Sequence, residues 1–135
     1  MALKILVVDD EVDLARILQL TLESAGYEVI LAYDGEEALR MALLEHPALV
    51  ILDLMLPVID GARVCSILRK DERTKSMPVI ILSARNLEFE RFDEPIAASL
   101  FIEKPFDSKM LLERVSGLLN CASHSKGIPP VKAAE

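Results

Sequence analysis

Cysteine, aromatic residues and long apolar runs are all scarce in this chain. Its 135 residues include two cysteines, no tryptophan and 4% aromatic side chains. Cys65 and Cys121 are too far apart for a metal-binding motif, and so few thiols are typical of a reducing, cytoplasmic compartment. The most apolar stretch, residues 48–59, is too short to span a bilayer and contains Asp53. The first residues lead directly into a predicted strand, so we expect neither a signal peptide nor membrane insertion.

Basic residues are also in the minority, with 15 Lys and Arg against 22 Asp and Glu and a net charge of −7. A nucleic-acid binder needs a basic surface that displaces counterions from phosphates, so we expect no direct contact with nucleic acid. An acidic protein instead attracts cations. Hydrophobic residues make up 52% of the chain, enough for a sizeable core, and 135 residues suit a single domain.

Short apolar runs alternate with helical patterns along the chain. Strands are predicted at Leu3–Val8, Val29–Ala32, Leu49–Leu52, Val79–Leu82 and Leu100–Ile102. Several runs are continuous rather than alternating, which is typical of strands buried on both faces of a parallel sheet. Between them, apolar residues recur at the i, i+3, i+4 spacing of amphipathic helices. The pattern predicts an α/β fold, a doubly wound five-stranded parallel sheet with helices on both faces.

The ends of several predicted helices carry local signals. Asp34 with Glu37 predicts a capping box, and Asp60 and Asp107 are expected N-caps of later helices. Gly26 predicts the end of the first helix.

Two segments lack a regular pattern. Pro95 interrupts residues 83–99, so we predict a short or irregular helix there. Residues 121–135 contain Ser, Lys, Gly and two adjacent prolines without periodicity, which predicts a flexible tail or a truncated linker. The folded domain is therefore expected to cover residues 1–120.

Polar side chains follow four of the five predicted strands. Asp9 and Asp10 come after the first strand, Asp53 after the third, Ser83 after the fourth and Lys104 after the fifth. In an open parallel sheet, ligands bind beyond the carboxyl ends of the strands, so these residues are candidates for one site.

The acidic residues of this candidate site need a positive partner. Two carboxylates about 5 Å apart repel each other by about 3 kcal/mol at an effective dielectric constant of about 20, so either one is protonated or a cation lies between them. Carboxylate oxygens suit Mg²⁺, or Mn²⁺ in its place. Such an ion and a lysine neutralise charge on a transferring phosphoryl group, a hydroxyl can hydrogen-bond its oxygens, and a carboxylate can act as the nucleophile.

Each of these residues alone has a simpler interpretation. Asp9 and Asp10 could cap the first helix, and Asp53 could be a turn residue. Lys104 alone would be a solvated surface lysine, and Phe101 alone would be a core residue. Their convergence on one end of the predicted sheet is what favours a functional site.

Four segments, in this order and spacing, resemble the receiver domain of two-component response regulators, which includes the chemotaxis regulators. They are Ile5-Leu-Val-Val-Asp-Asp-Glu11, Leu52-Asp-Leu-Met-Leu-Pro57 followed by Asp60-Gly61, Ile81-Leu-Ser-Ala-Arg85 and Phe101-Ile-Glu-Lys-Pro-Phe106. The likeness runs from about Leu3 to Leu119. It implies a flavodoxin-like single domain with strand order 2-1-3-4-5.

The resemblance implies a role for each candidate residue. Asp53 would be the phosphoacceptor, and Ser83 and Lys104 would contact the phosphoryl group. The ligands of Mg²⁺ would be Asp10, Asp53, the Met55 carbonyl and, through water, Asp9.

The same resemblance implies a switch and its partners. Phe101 matches the aromatic switch residue, which would fill the space left when Ser83 moves toward the phosphoryl group. Ala84 and Pro105 follow Ser83 and Lys104 in the matching segments and are assigned to the same site, with a cis Lys104–Pro105 bond expected. The phosphoryl donor would be a histidine kinase or a histidine phosphotransfer protein, and the output partner is unknown from the sequence.

The chain departs from the family pattern at Val58, which stands where glycine is common and is expected to stiffen the loop before Asp60.

Three other classes of protein fit the sequence less well. A phosphatase with an aspartyl-phosphate intermediate needs a second Asp two positions after the first, whereas Glu11 and Val12 stand there. A flavin- or nucleotide-binding module needs a Gly-rich loop rather than acids after the first strand. A receiver that signals without phosphate would not need the complete residue set.

Overall fold

Five parallel strands and four helices make up the described part of the chain, residues 2–83 and 98–124 of a computed structural model. The strands are β1 Lys4–Val8, β2 Glu28–Ala32, β3 Leu49–Asp53, β4 Val79–Ser83 and β5 Leu100–Glu103. The helices are α1 Val12–Ser24, α2 Gly35–Glu45, α3 Gly61–Lys70 and α4 Ser108–His124. The sheet order is β2-β1-β3-β4-β5, so the predicted doubly wound fold and its strand order are confirmed.

Alternate side chains of the central strands enter separate cores on the two faces of the sheet. Ile5 and Val7 of β1 pack in a cluster with apolar residues of α1 and α4. Leu6 and Val8 pack in a second cluster with residues of α2 and α3. Cys65 belongs to this second core, where it packs as a small apolar residue, and its burial raises the pKa of its thiol.

Three strands, β3, β4 and β5, extend one residue further than their predicted apolar runs, and Asp53 and Ser83 are two of these added residues. Asp53 ends β3 and pairs with Leu82, while Ser83 ends β4 and pairs with Glu103. The ladder continues because its hydrogen bonds join backbone groups and do not depend on apolar side chains. Both polar residues are therefore held by the sheet itself.

The predicted helix caps are present, with one change of partner. Asp34 accepts a hydrogen bond from the Glu37 N–H at 2.8 Å, and Asp60 accepts one from the N–H three residues further on at 2.9 Å. Asp107 accepts one from the N–H two residues further on at 3.2 Å. The Glu37 carboxylate reaches back to the Tyr33 N–H at 2.8 Å, one residue beyond the N-cap that the capping box predicted.

Several predictions on the second half of the chain concern residues 84–97 and 125–135, which lie outside the described residues. They include Ala84, most of the predicted irregular helix and most of the predicted tail. The helix α4 continues to His124, so residues 121–124 of that predicted tail are helical. None of the helices in the described ranges combines the length and the apolar composition needed to cross a membrane.

The end of α2 stores conformational strain at His46. This residue is the C-cap of the helix and adopts φ 48°, in the left-handed region that glycine adopts without steric cost. We expect His46→Gly to raise the free energy of unfolding by about 1 kcal/mol, measured by urea denaturation. His46→Ala keeps a β-carbon in the same conformation and should give a much smaller gain; equal gains from both variants would contradict this explanation.

Candidate functional site

The carboxyl ends of the strands bring the predicted site residues to one edge of the sheet. Asp53 and Ser83 end β3 and β4, and Asp9 and Lys104 directly follow β1 and β5. Backbone bonds hold the two following residues as well, since the Asp9 N–H donates to the Ala32 carbonyl at 3.1 Å and the Lys104 N–H donates to the Ser83 carbonyl at 2.7 Å. The backbone therefore directs all four residues to the same edge.

Three carboxylates cluster at this edge. Asp9, Asp10 and Asp53 each offer one oxygen, and these oxygens lie within 4.8 Å of one another. Asp9 is fully buried and Asp53 is 7% exposed, whereas Asp10 is exposed to solvent. The separation agrees with the distance of about 5 Å assumed from the sequence for Asp10 and Asp53.

Lys104 supplies a positive charge to this cluster. Its Nζ lies 3.2 Å from Asp53 Oδ2 and 3.6 Å from Asp9 Oδ2. Burial disfavours the charged amine, but the two carboxylates outweigh that effect and raise the pKa of Lys104. The lysine is therefore a fixed cation at the site and is not the solvated surface residue of the simpler interpretation.

One ammonium group does not balance the buried acids. Burial raises the pKa of Asp53 although Lys104 opposes this effect, and burial raises the pKa of Asp9 against the Glu11 N–H and Lys104. Asp9 Oδ2 is buried and has no hydrogen-bond partner among the described residues. The site therefore holds an excess of negative charge and a buried oxygen that accepts no hydrogen bond, with the Lys104 ammonium 3.6 Å away.

This donor set fits a hard divalent cation. Mg²⁺ prefers oxygen ligands and usually keeps several waters, and three carboxylates with one unpartnered buried oxygen meet that preference. Asp9 is not the N-cap of α1. The N-cap residue is Glu11, and Asp9 Oδ1 accepts a hydrogen bond at 2.9 Å from the N–H of Glu11 rather than from an N–H of the first helical turn. The capping alternative for Asp9 is therefore wrong.

The loop between β3 and α3, residues 54–60, is packed tightly beside Asp53. The Met55 N–H donates to Asp53 Oδ1 at 3.2 Å, and the Gly61 N–H donates to the Leu54 carbonyl at 2.8 Å. A β-carbon at Gly61 would overlap the Asp53 carbonyl oxygen. The absence of a side chain at Gly61 therefore allows α3 to start directly against the end of β3.

A second glycine connects this loop to α2. The Gly35 N–H faces the Pro57 carbonyl at 3.4 Å, and a β-carbon at Gly35 would overlap the carbonyl oxygen of Ile59. This contact was not predicted from the sequence, because a glycine between Asp34 and Glu37 has the pattern of a helix start and carries no sign of a partner more than twenty residues away.

Val58 has an unfavourable backbone conformation within the same loop. Its φ is 69°, and the Ile59 N–H donates to the Pro57 carbonyl at 2.8 Å, which closes a γ-turn centred on Val58. A left-handed conformation costs an L-residue about 1–2 kcal/mol, and β-branched residues are rarer still in it. The glycine that is common at this position would avoid that cost.

The remaining predicted residues have definite positions on β4 and β5. Ser83 is 1% exposed. Phe101 lies on β5, is partly buried and packs against the core cluster that includes α3 residues. The Lys104–Pro105 bond is cis, as expected.

A family model identifies the class of protein. The model of the response regulator receiver domain matches residues 5–116, and the chain belongs to this family. It is a phosphoryl-accepting signalling domain of two-component systems. The match favours this class over the phosphatase and the flavin-binding module considered from the sequence.

Individual relatives agree with this assignment. The chain is 46% identical over 117 residues to a probable transcriptional regulator of Cyanophora paradoxa, covering 86% of this chain and 48% of the relative. It is 43% identical over 117 residues to the alkaline phosphatase synthesis transcriptional regulatory protein PhoP of Bacillus subtilis, with the same coverage. The chain thus spans about half the length of the curated relatives it matches.

A solved structure with a metal ion is also similar. The receiver domain of the sensor histidine kinase PA1611 from Pseudomonas aeruginosa has a TM-score of 0.83 and 27% identity, covering 89% of this chain and 99% of that one. In that protein a magnesium ion is coordinated in the active site cleft.

The raised pKa of Asp9 leads to a prediction about stability. A folded-state pKa above the unfolded value means that the wild-type fold loses stability as the pH rises through the folded pKa. We therefore expect Asp9→Asn to raise the free energy of unfolding by about 0.5–2 kcal/mol at pH 7 in chelator, and by less as the pH falls toward the unfolded pKa. Urea denaturation of both proteins in chelator, at pH 7 and at an acidic pH, tests this prediction.

The control is Asp10→Asn, which removes an exposed acid of the same cluster and should change stability less. Mg²⁺ should stabilise the wild type more than Asp9→Asn. A destabilised Asp9→Asn protein at pH 7 in chelator would contradict the assignment of unfavourable charge to Asp9.

Proposed function

We propose that Asp53 accepts a phosphoryl group from a phosphohistidine of a histidine kinase or a histidine phosphotransfer protein. The observation that carries this proposal is the position of Asp53 between the Lys104 ammonium at 3.2 Å and the neighbouring carboxylates of Asp9 and Asp10. A nucleophilic carboxylate must be held in position in its ionised form. Positive charge must also lie near the oxygens of the incoming phosphoryl group.

The proposed transfer is a displacement at phosphorus. An Asp53 carboxylate oxygen forms the new P–O bond, the P–N bond of the phosphohistidine breaks, and its electron pair returns to the imidazole nitrogen. Lys104 neutralises charge on the phosphoryl oxygens, and the Ser83 hydroxyl donates a hydrogen bond to one of them. The product is an aspartyl phosphate.

A divalent cation is part of the proposed site. Asp10, Asp53 and the Met55 carbonyl would hold Mg²⁺, or Mn²⁺, with Asp9 acting through water, and the bound ion would offset charge that Lys104 alone leaves unbalanced. The domain would catalyse its own phosphorylation and dephosphorylation with these residues, without turning over a separate substrate.

The proposed output follows from the added charge. An aspartyl phosphate carries three acceptor oxygens, toward which Ser83 would move while Phe101 fills the vacated space. The surface around β5 would then change its affinity for an output partner. The relatives are named as transcriptional regulators, so any DNA contact of a full-length protein would come from residues beyond this acidic domain. We place this signalling in the cytoplasm.

The test is intact mass after incubation with acetyl phosphate or phosphoramidate, with Mg²⁺ or with chelator. We expect a gain of one phosphoryl group only with Mg²⁺, and peptide mapping should assign it to Asp53. No gain under any condition would refute the proposed chemistry and favour a receiver that signals without phosphate. A gain that maps to another residue would refute the assignment of Asp53.

A further inference from the structure

Val58 has a strained backbone without compensation from its own side chain. Val58 is 74% exposed, so packing within the protein offsets little of the cost of φ 69°. The strain instead comes from how the loop is anchored. The Gly61 N–H donates a hydrogen bond to the Leu54 carbonyl, and the Gly35 N–H faces the Pro57 carbonyl. Between these two anchors the chain reverses direction through the γ-turn.

The contacts that hold the Asp53 carboxylate are long, both the one from this loop and the one from Lys104. The Met55 N–H lies 3.2 Å from Asp53 Oδ1, and Lys104 Nζ lies 3.2 Å from Asp53 Oδ2. Well-formed charge-assisted bonds of this kind measure about 2.7–2.9 Å. Each Asp53 oxygen therefore has one long contact, and a cation that draws Asp53 toward Asp9 and Asp10 competes with both.

We propose that Val58 is a positioning residue whose strained γ-turn is relieved when the cluster of Asp9, Asp10 and Asp53 binds a divalent cation. The inference depends on the proposed function, because it takes the cation at these carboxylates as given. A cation that pulls on Asp53 and on the Met55 carbonyl moves the first residues of the loop, and the γ-turn is the point in the loop that gains free energy by opening. Val58 thus weakens the resting loop and favours the cation-bound one.

Replacing Val58 by glycine should affect the stability of the resting loop and that of the cation-bound loop differently. Glycine adopts φ 69° without the steric cost, so Val58→Gly stabilises the resting loop and leaves the cation-bound loop with little gain. The cost of the left-handed conformation corresponds to a factor of about 5 to 30 in an equilibrium constant. We therefore expect Val58→Gly to bind Mg²⁺ about 5- to 30-fold more weakly, and to unfold at a higher temperature in chelator.

The experiment is isothermal titration of Mg²⁺ into the chelator-treated chain, with thermal unfolding of the same samples. Val58→Ala removes most of the exposed side chain but keeps a β-carbon in the left-handed conformation, so its Mg²⁺ affinity should stay within about twofold of wild type. His46→Gly relieves a similar strain at the end of α2, so it should raise the unfolding temperature and leave Mg²⁺ affinity unchanged.

The outcomes distinguish the inference from the proposed function. Unchanged or tighter binding of Mg²⁺ by Val58→Gly would overturn the inference, since the γ-turn would then persist in the bound state. Equal weakening in Val58→Gly and Val58→Ala would also overturn it, because the side chain and not the backbone would be responsible. If the wild-type chain bound no Mg²⁺, the proposed cation site itself would fail, and the inference with it.

Discussion

Asp53→Asn is expected to abolish the Mg²⁺-dependent gain of one phosphoryl group from acetyl phosphate. The amide that replaces the carboxylate is not a competent nucleophile for phosphorus, and it removes one of the three negative charges that would hold the cation. Intact mass over a time course, with wild type in parallel, measures the effect. With Mg²⁺ present, the variant should gain phosphoryl groups no faster than the wild-type protein does in chelator.

Loss of uptake through unfolding would be a trivial explanation, and the structure provides two checks. Burial raises the pKa of Asp53, so its ionised form is disfavoured in the fold and the amide should be at least as stable in urea at pH 7. Asp60→Asn is the matched control, because Asp60 lies shortly after Asp53 and caps α3 through the Arg63 N–H, a role that Asn fills equally well. Undiminished uptake by Asp53→Asn would show that another residue accepts the group.

The fold could be predicted closely because its three central strands, β1, β3 and β4, are buried on both faces. Such strands appear in sequence as continuous apolar runs, and the predicted boundaries lie within a residue or so of those observed. The errors that concern the site occur at the polar ends of β3 and β4, where Asp53 and Ser83 belong to the strands because backbone pairing continues past the apolar side chains. Apolar pattern alone cannot detect such residues.

The composition of the site was predictable, but its internal asymmetry was not. The order of strands and loops places Asp9, Asp10, Asp53 and Lys104 at one edge of the sheet. Which of two adjacent aspartates is buried depends on how the chain leaves β1, and the structure buries Asp9 and exposes Asp10. Two neighbouring residues of the same type carry no pattern that distinguishes them.

Contacts between residues that are distant in the sequence were the least predictable feature. Val58 was recognised as an unusual residue, but its positive φ results from anchoring by Gly35 and Gly61, which belong to other elements. Arg69 similarly donates to the Met77 carbonyl at 2.6 Å and contacts the Ser99 hydroxyl at 3.5 Å, thirty residues away. Such contacts arise only once the elements have packed together.

Lys104→Met is expected to slow phosphorylation by about 100- to 1,000-fold while leaving Mg²⁺ binding intact. Loss of one preorganised positive donor at a developing charge typically costs that much in rate. The variant also leaves Asp9 and Asp53 without their ammonium partner at 3.6 and 3.2 Å. We therefore expect a loss of about 1–3 kcal/mol in the free energy of unfolding at pH 7 in chelator.

The destabilisation should depend on pH and on the cation in defined directions. Both carboxylates have raised pKa values, so as the pH falls they become neutral and no longer need the lysine, and the difference from wild type should shrink. Added Mg²⁺ should restore part of the lost stability, because it replaces the missing positive charge, but it should not restore the phosphorylation rate. Recovery of stability without recovery of the phosphorylation rate would show that Lys104 takes part in the reaction as well as stabilising the fold.

Lys4→Met provides the matched control for Lys104→Met. Lys4 Nζ lies 3.2 Å from Glu45 Oε1, the same distance as in the Lys104–Asp53 pair, but its side chain is 38% exposed against 19% for Lys104. An exposed ion pair contributes at most about 1 kcal/mol, so Lys4→Met should change stability little and phosphorylation not at all. If Lys104→Met behaved like Lys4→Met in both measurements, the lysine would be only a surface cation, and the charge balance at Asp53 would have to come from the divalent cation alone.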